Sequence, residues 1–199
     1  MNGQRSFGED VIPSPITLLD EHIPQLRNFA RALLRGDQDR ADDLVQDSLV
    51  RALSGWRGLR CDGNLRAWLY KIVYNRFVTD QRRLRIRQII CPSLTDVVED
   101  DLQGADGGQE TLLAYRDLRR GLASLPDDQR AVLLLITVED FSYEEAARIL
   151  RIPIGTVMSR LSRARERLRQ HMNGGQSRPL EPKRHHLSPR YREPVISHV

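Results

Sequence analysis

Apolar residues recur at helical spacing along most of the chain, whereas the alternation typical of β-strands is almost absent. Stripes of this kind run from residue 16 to 34 and from 39 to 56. Within the first stripe, Pro24 either kinks the helix or marks its true start, and Gly36 supplies a C-terminal stop. The pattern predicts an all-α fold.

A third helix is predicted from Asn64, a good N-cap residue, to about Arg87. The three helices together predict a small bundle over residues 16–88. Its expected core side chains are Leu19, Ile23, Leu26, Ala30, Leu33, Leu44, Val45, Leu49, Ala52, Leu53, Trp56, Leu65, Trp68, Leu69, Ile72 and Val73.

The helical pattern stops over residues 89–110, where acidic side chains and glycines replace it. That composition predicts a flexible acidic linker, after which residues 111–172 predict a second, smaller helical bundle. Residues 1–15 form a polar extension. Residues 173–199 are rich in Pro, Arg and His without periodicity, which predicts a disordered tail.

The second bundle ends in two helices joined by a tight turn. Ser142 and Glu145 form an S-x-x-E capping box, and Pro153 ends the helix that this box begins. In the next helix Val157 and Leu161 begin an apolar face, while arginines occupy the other faces almost unopposed by acids. This layout predicts a helix-turn-helix whose second helix lies in the major groove of DNA. The alternative is that the arginines form an ordinary solvated face.

Charge is segregated along the 199 residues, although the net charge is only +4 and the pI about 9.4. Acidic clusters lie at residues 37–47 and 96–106, and basic clusters lie at 82–87 and 148–169. Two separate basic stripes predict two separate contacts with nucleic acid.

Other functional classes find little support in the sequence. Cys61 and Cys91 are too few for a disulfide framework, and the histidines lack partners at metal-ligand spacing, so we expect neither a metal nor a cofactor. Phosphate-binding loops, nucleophile elbows and H-E-x-x-H motifs are missing, which argues against an enzyme. The polar N-terminus and the lack of a long apolar run predict a cytoplasmic protein without membrane insertion.

Two blocks of sequence resemble bacterial sigma factors. The segments ADDLVQDSLVRAL and NLRAWLYKIVYNRFVTDQRR are similar to the second sigma domain. The segments LPDDQR, FSYEEAARIL and IPIGTVMSRLSRARERL are similar to the fourth. Nothing resembles the third domain, and this layout is similar to the extracytoplasmic-function (ECF) family of RNA polymerase sigma factors. The resemblance implies sigma domain 2 over residues 16–88 and sigma domain 4 over residues 111–172.

The resemblance implies a polymerase-binding face on the second predicted helix. Its residues are Asp43, Gln46, Asp47 and Arg51, which project away from the apolar side. In the family this face docks on a coiled coil of the polymerase largest subunit. The alternative is that the acids near the helix N-terminus simply favour the helix macrodipole.

The third predicted helix is expected to contact the melted promoter element, which requires a cationic track and surfaces for unstacked bases. The residues that match the family motif are Asn75, Arg76, Asp80, Arg82 and Arg83. Tyr70 and Tyr74 are available aromatics, whereas Trp68 is expected in the core. The loop at 57–63 lacks the aromatic residue common in the family, which leaves its base preference open.

The last helix is expected to contact the upstream duplex element with residues near its N-terminus. The resemblance implies base contacts by Thr156, Met158, Ser159 and Ser162, phosphate contacts by Arg160 and Arg163, and a DNA contact by Arg165. Many family members carry Lys or Arg at the position of Met158.

The sequence therefore predicts a sigma factor that binds core RNA polymerase and promoter DNA, with an anti-sigma factor as a further expected partner. A stand-alone helix-turn-helix regulator would explain residues 142–169 but leaves the N-terminal motif blocks unexplained. A sigma mimic that titrates an anti-sigma factor would have no need of the arginine-rich face.

Overall fold

The computed structural model describes residues 15–56, 64–90 and 109–173, which form eight α-helices and contain no strand. The helices are α1 (Pro15–Asp20), α2 (Ile23–Leu33), α3 (Gln38–Gly55), α4 (Leu65–Ile90), α5 (Gln109–Ser124), α6 (Asp127–Thr137), α7 (Tyr143–Leu150) and α8 (Ile154–Met172). The prediction of an all-α fold is confirmed. The predicted linker, tail and 57–63 loop, with Cys61 and Cys91, lie outside the described residues apart from the linker's ends at 89–90 and 109–110 and residue 173 of the tail.

The first predicted helix is two helices, because Pro24 stands in the first turn of α2 rather than in the middle of a longer helix. The turn after α2 is left-handed at Arg35 (φ 62°) and Gly36 (φ 101°), as the predicted glycine stop requires. Asp37 then caps α3, since its carboxylate accepts a hydrogen bond from the Arg40 backbone N–H at 3.0 Å.

Asn64 caps α4 as predicted, with its side-chain oxygen 3.0 Å from the backbone nitrogen of Ala67. The helix continues to Ile90, past the predicted end at Arg87. One core prediction is wrong: Leu53 is 44% exposed, because it lies on the outer side of α3. Trp68 is half-buried and packs edge-on against Trp56, as expected of a core residue.

The helix-turn-helix forms as the sequence predicts. The capping box of α7 is complete: the Glu145 backbone N–H donates to Ser142 Oγ at 3.2 Å, and the Ser142 N–H donates to the Glu145 carboxylate at 3.0 Å. Arg151, in the left-handed region, ends the helix. Val157 and Leu161 are buried, so α8 packs by its predicted apolar face.

The N-terminal and C-terminal halves share one apolar core. The ring of Tyr70 on α4 lies 5.0 Å from Phe29 of α2 and 5.0 Å from Phe141 in the turn before α7. Because Tyr70 is fully buried, the expectation that it is available to stack on bases is wrong. The division into domains at 16–88 and 111–172 remains a prediction.

Candidate nucleic-acid interface

The outer surface of α8 carries the residues predicted to contact the upstream element. Ser162 and Arg163 are exposed and Met158 is 45% exposed, whereas Thr156 and Arg165 are half-buried. Gly155 faces open space, since nothing lies within 4 Å of where a Cβ would stand. The backbone of α8 at Gly155 is therefore free to approach a groove closely.

Two polar residues of this surface already have partners within the protein. The Ser159 hydroxyl donates to the backbone oxygen of Thr156 at 3.1 Å. Arg160 Nε lies 3.1 Å from the Asp128 carboxylate of α6, and the arginine side chain is only 25% exposed. Burial raises the pKa of Tyr74 on α4, and the positive charge of the nearby Arg160 opposes that rise. Arg160 is thus held against α6.

The residues predicted to contact melted DNA fall into two groups on α4. Asn75 and Arg82 are seven residues apart and share one stripe, with Asn75 half-buried and Arg82 exposed. Arg76, Asp80 and Arg83 share another stripe, where Asp80 lies 2.9 Å from Arg76 and 3.9 Å from Arg83. The two stripes are neighbours on α4, and only the second of them lines the groove between α3 and α4.

A groove of about 450 Å³ lies between α3 and α4. Arg76, Asp80 and Arg83 of α4 line one side of it, opposite the predicted polymerase-binding residues of α3. Arg76 Nη2 lies 2.8 Å from the Asp47 carboxylate, which is 52% exposed. Arg51 is also exposed, but it does not line the groove. The groove is lined by Leu34, Arg40, Asp43, Leu44, Gln46, Asp47, Arg76, Phe77, Asp80, Gln81, Arg83, Leu84 and Arg87. Two residue sets assigned to different partners therefore share one surface.

A buried carboxylate at the contact between the halves was not predicted from the sequence. Glu139 is 5% exposed and accepts hydrogen bonds from the hydroxyl of Tyr70 and, at 3.1 Å, from the guanidinium of Arg66. The Arg66 guanidinium also lies 4.2 Å from the centre of the Phe141 ring, a cation–π distance. Because Glu139 lies 69 residues or more from these partners, no local pattern could have indicated the contact.

Arg130 is a second buried charge that joins the halves. Its guanidinium donates to the backbone oxygen of Leu33 at the end of α2 (2.7 Å) and to that of Leu125 after α5 (2.6 Å). Burial lowers the pKa of Arg130 to about 10, which leaves the side chain charged at neutral pH. One arginine therefore satisfies carbonyl groups at the ends of two helices.

Within the described ranges, no three His, Cys, Asp or Glu side chains are grouped to hold a metal ion. In the same ranges, no helix combines the length and the apolar character needed to cross a membrane.

Comparisons with known proteins agree with both sequence blocks. A family model described as "Sigma-70, region 4" matches residues 115–168, and one described as "Sigma2 domain of PhyR" matches residues 19–74. The ECF RNA polymerase sigma factor EcfG of Rhodopseudomonas palustris is 38% identical over 156 residues, covering 73% of this chain and 78% of that protein. The ECF RNA polymerase sigma factor SigM of Mycobacterium tuberculosis is 35% identical over 151 residues, covering 76% of this chain and 73% of SigM.

Two solved structures have similar folds. The sigma factor RpoE of Bartonella quintana, crystallised with the anti-sigma factor NepR, is 34% identical with a TM-score of 0.70, covering 81% of this chain and 98% of RpoE. CnrH, in complex with the cytosolic domain of CnrY, is 25% identical with a TM-score of 0.57, covering 79% of this chain and 86% of CnrH.

Proposed function

The chain belongs to the ECF family of RNA polymerase sigma factors, and we propose that it binds core RNA polymerase and directs initiation at a specific set of promoters. Sigma factors are not enzymes themselves; they direct one. The promoter would be contacted twice, as an upstream duplex element by α8 and as a melted element by α4. Such a protein acts in the cytoplasm, where the polymerase and the DNA are.

The main support for the proposed contact with duplex DNA comes from the outward surface of α8. The helix packs by Val157 and Leu161 and turns its N-terminal residues Gly155 and Met158 to solvent, which is the arrangement with which a recognition helix enters a major groove. Arg163 is exposed beside them and would contact a phosphate. We expect Arg160 to do so after leaving Asp128.

Support for the melted-DNA contact comes from the basic side chains of α4. Arg82, Arg83, Arg85 and Arg87 are all exposed, so the C-terminal part of α4 presents a cationic surface for a phosphate backbone. Tyr74 is the half-buried aromatic that could meet an unstacked base, since Tyr70 is buried.

Support for polymerase binding comes from α3. Asp43, Gln46, Asp47 and Arg51 are exposed along one side of the helix, opposite the side that packs in the core. A further partner, an anti-sigma factor, is proposed because RpoE and CnrH were each solved in complex with another protein, NepR being an anti-sigma factor.

The test is promoter opening. The chain alone should bind promoter DNA weakly and leave it closed, whereas the chain with core polymerase should make thymines of the melted element reactive to permanganate. Replacing Gln46 and Asp47 together by Ala should weaken core association without changing duplex binding by α8. Asp20→Ala, at an exposed carboxylate on α1, is the matched control and should change neither. If core polymerase gains no promoter-specific initiation from the chain, the stand-alone regulator replaces this proposal.

A further inference from the structure

Two large apolar side chains on the first turns of α8 are partly exposed to solvent. Ile154 is 38% exposed and Met158, one turn further along, is 45% exposed. Isolated exposed apolar residues are ordinary on protein surfaces. These two are adjacent on one side of the helix, at the end that a recognition helix inserts into the groove.

The core of the helix-turn-helix does not need either side chain. Val157, Leu161 and Ala164 supply the packing face of α8, and each is at most 3% exposed. Ile149 and Leu150 of α7 are buried as well. Ile154 and Met158 lie to one side of that packing face, so their exposure is not explained by incomplete packing.

Two polar side chains of the same two turns, those of Ser159 and Arg160, already have partners within the protein. The hydroxyl proton of Ser159 is donated to its own helix backbone, and the guanidinium of Arg160 is paired with Asp128. Donating the Ser159 hydroxyl proton or the Arg160 Nε–H to a base edge would first require those contacts to break, although the Ser159 oxygen can still accept a hydrogen bond. The two apolar side chains, by contrast, reach solvent without any rearrangement.

Duplex DNA is the occupant that the charges around this surface favour, because Arg163 and Arg167 are exposed further along the same helix. In the major groove the apolar feature of a base pair is the C5-methyl group of thymine. A flexible thioether and a branched aliphatic side chain one turn apart match two such methyl groups.

We propose that Ile154 and Met158 recognise the methyl groups of thymines in the upstream promoter element, so that part of the specificity of α8 is apolar. This inference rests on the proposed function and adds the chemistry by which its duplex element is recognised. It makes Ile154, which the sequence did not single out, a specificity-determining residue.

The test begins by selecting preferred duplexes from a random pool with the full chain bound to core polymerase. Each thymine of the selected upstream element is then replaced singly by uracil, which removes one methyl group and keeps base pairing. At the contacted positions affinity should fall about fourfold per methyl, the loss expected when one methyl group is no longer buried. Thymines outside the element should show no change.

Protein variants assign each methyl group to a side chain. Met158→Ala should abolish the difference in affinity between the thymine and uracil duplexes at one position. Ile154→Ala should abolish this difference at a neighbouring position. Met172→Ala is the matched control, because Met172 is 44% exposed near the other end of the same helix and should leave both differences intact.

The possible outcomes separate the two proposals. A selected element that contains no thymine, or one bound equally well with uracil throughout, overturns the methyl recognition and leaves the sigma function standing. Differences that persist in both Ala variants overturn the assignment to Ile154 and Met158. Failure of the chain with core polymerase to select any element counts against the proposed function itself.

Discussion

Arg76 Nη2 lies 2.8 Å from the carboxylate of Asp47, so a residue expected to contact melted DNA is paired with one expected to contact polymerase. Arg76 also lies 2.9 Å from Asp80, and its side chain is only 19% exposed. Asp47 cannot offer its full charge to polymerase while Arg76 neutralises it. The pair therefore links the two contacts proposed for this half of the protein.

The first prediction follows from that pair. Arg76→Ala should strengthen binding to core polymerase, because Asp47 no longer has to leave an internal partner. The gain should be at most about fivefold, since an ion pair whose carboxylate is 52% exposed contributes on the order of 1 kcal/mol. The same variant should weaken promoter opening. Binding is measured by fluorescence anisotropy of labelled chain titrated with core polymerase, and opening by permanganate reactivity.

Arg83→Ala is the control for this prediction. Arg83 lies on the same stripe of α4 and pairs with Asp80 at 3.9 Å, but Asp47 is bound by Arg76. Replacing Arg83 should therefore leave the affinity of the chain for core polymerase unchanged. Weaker core binding by the Arg76→Ala variant would show that the pair organises the polymerase-binding face rather than competing with it.

The second prediction concerns the hydrogen bond between Tyr70 and Glu139. Tyr70→Phe should lower the free energy of unfolding by about 2 kcal/mol, because the buried carboxylate loses one of its donors. Burial raises the pKa of Tyr70, with Glu139 adding to the effect, so the phenol stays protonated and the loss should not change across neutral and mildly alkaline pH. Tyr115→Phe, at a side chain that is 50% exposed, is the control in urea unfolding. Equal stability of the two variants would contradict the prediction.

The third prediction compares two helical glycines. Gly155→Ala should raise the free energy of unfolding by up to about 1 kcal/mol, because alanine favours the helix and the space is open. At Gly121 an added Cβ would lie 2.7 Å from Leu168 Cδ1 and 3.0 Å from His171 Cδ2. At Gly121 the cost of displacing both side chains should cancel the stabilisation that alanine brings to the helix. Thermal unfolding of both variants measures the difference, and equal gains would mean that α5 and α8 pack less closely.

The fourth prediction concerns pH and the capping box of α7. The hydrogen bond from the backbone N–H of Ser142 lowers the pKa of Glu145. Burial acts in the opposite direction, whereas hydrogen bonds from the Ser142 and Asn64 side chains lower this pKa further. A lowered carboxyl pKa stabilises the fold above the unfolded-state pKa, about 4.3, and this stabilisation is lost as the pH falls through the folded-state pKa. The amide oxygen of a glutamine can still accept the capping hydrogen bond, so Glu145→Gln removes only the charge. It should cost about 0.5 kcal/mol at neutral pH and progressively less below about pH 4.

Glu144→Gln is the matched control for that measurement. Glu144 stands in the same first turn of α7 but is exposed, and the capping bond is made by Glu145. The free energy of unfolding of the unchanged chain and both variants is measured in urea from neutral to acidic pH. At neutral pH the Glu145→Gln variant should be less stable than the other two proteins. Parallel curves for all three would rule out a stabilising role of the capping carboxylate.

The local structure of this protein could be read from short stretches of its sequence. Ser142 with Glu145, Asn64, Gly36 and the apolar face that includes Val157 each define a helix end or a packing side within a few residues, and each is found as predicted. The two motif blocks likewise identify the family, because a motif is a local pattern. Caps and periodicity could be recognised because their physical causes are short-ranged.

Which surface each helix leaves free depends on contacts between distant parts of the chain. Tyr70 is buried by Phe141, the carboxylate of Glu139 joins Arg66 to it, and Asp47 is occupied by Arg76. The partners in these contacts lie far apart along the chain, and a polar or aromatic side chain has the same helical position whether water or another helix covers it. The sequence therefore indicated which residue types could contact DNA or polymerase, whereas the packing of the halves determined which of them remain exposed.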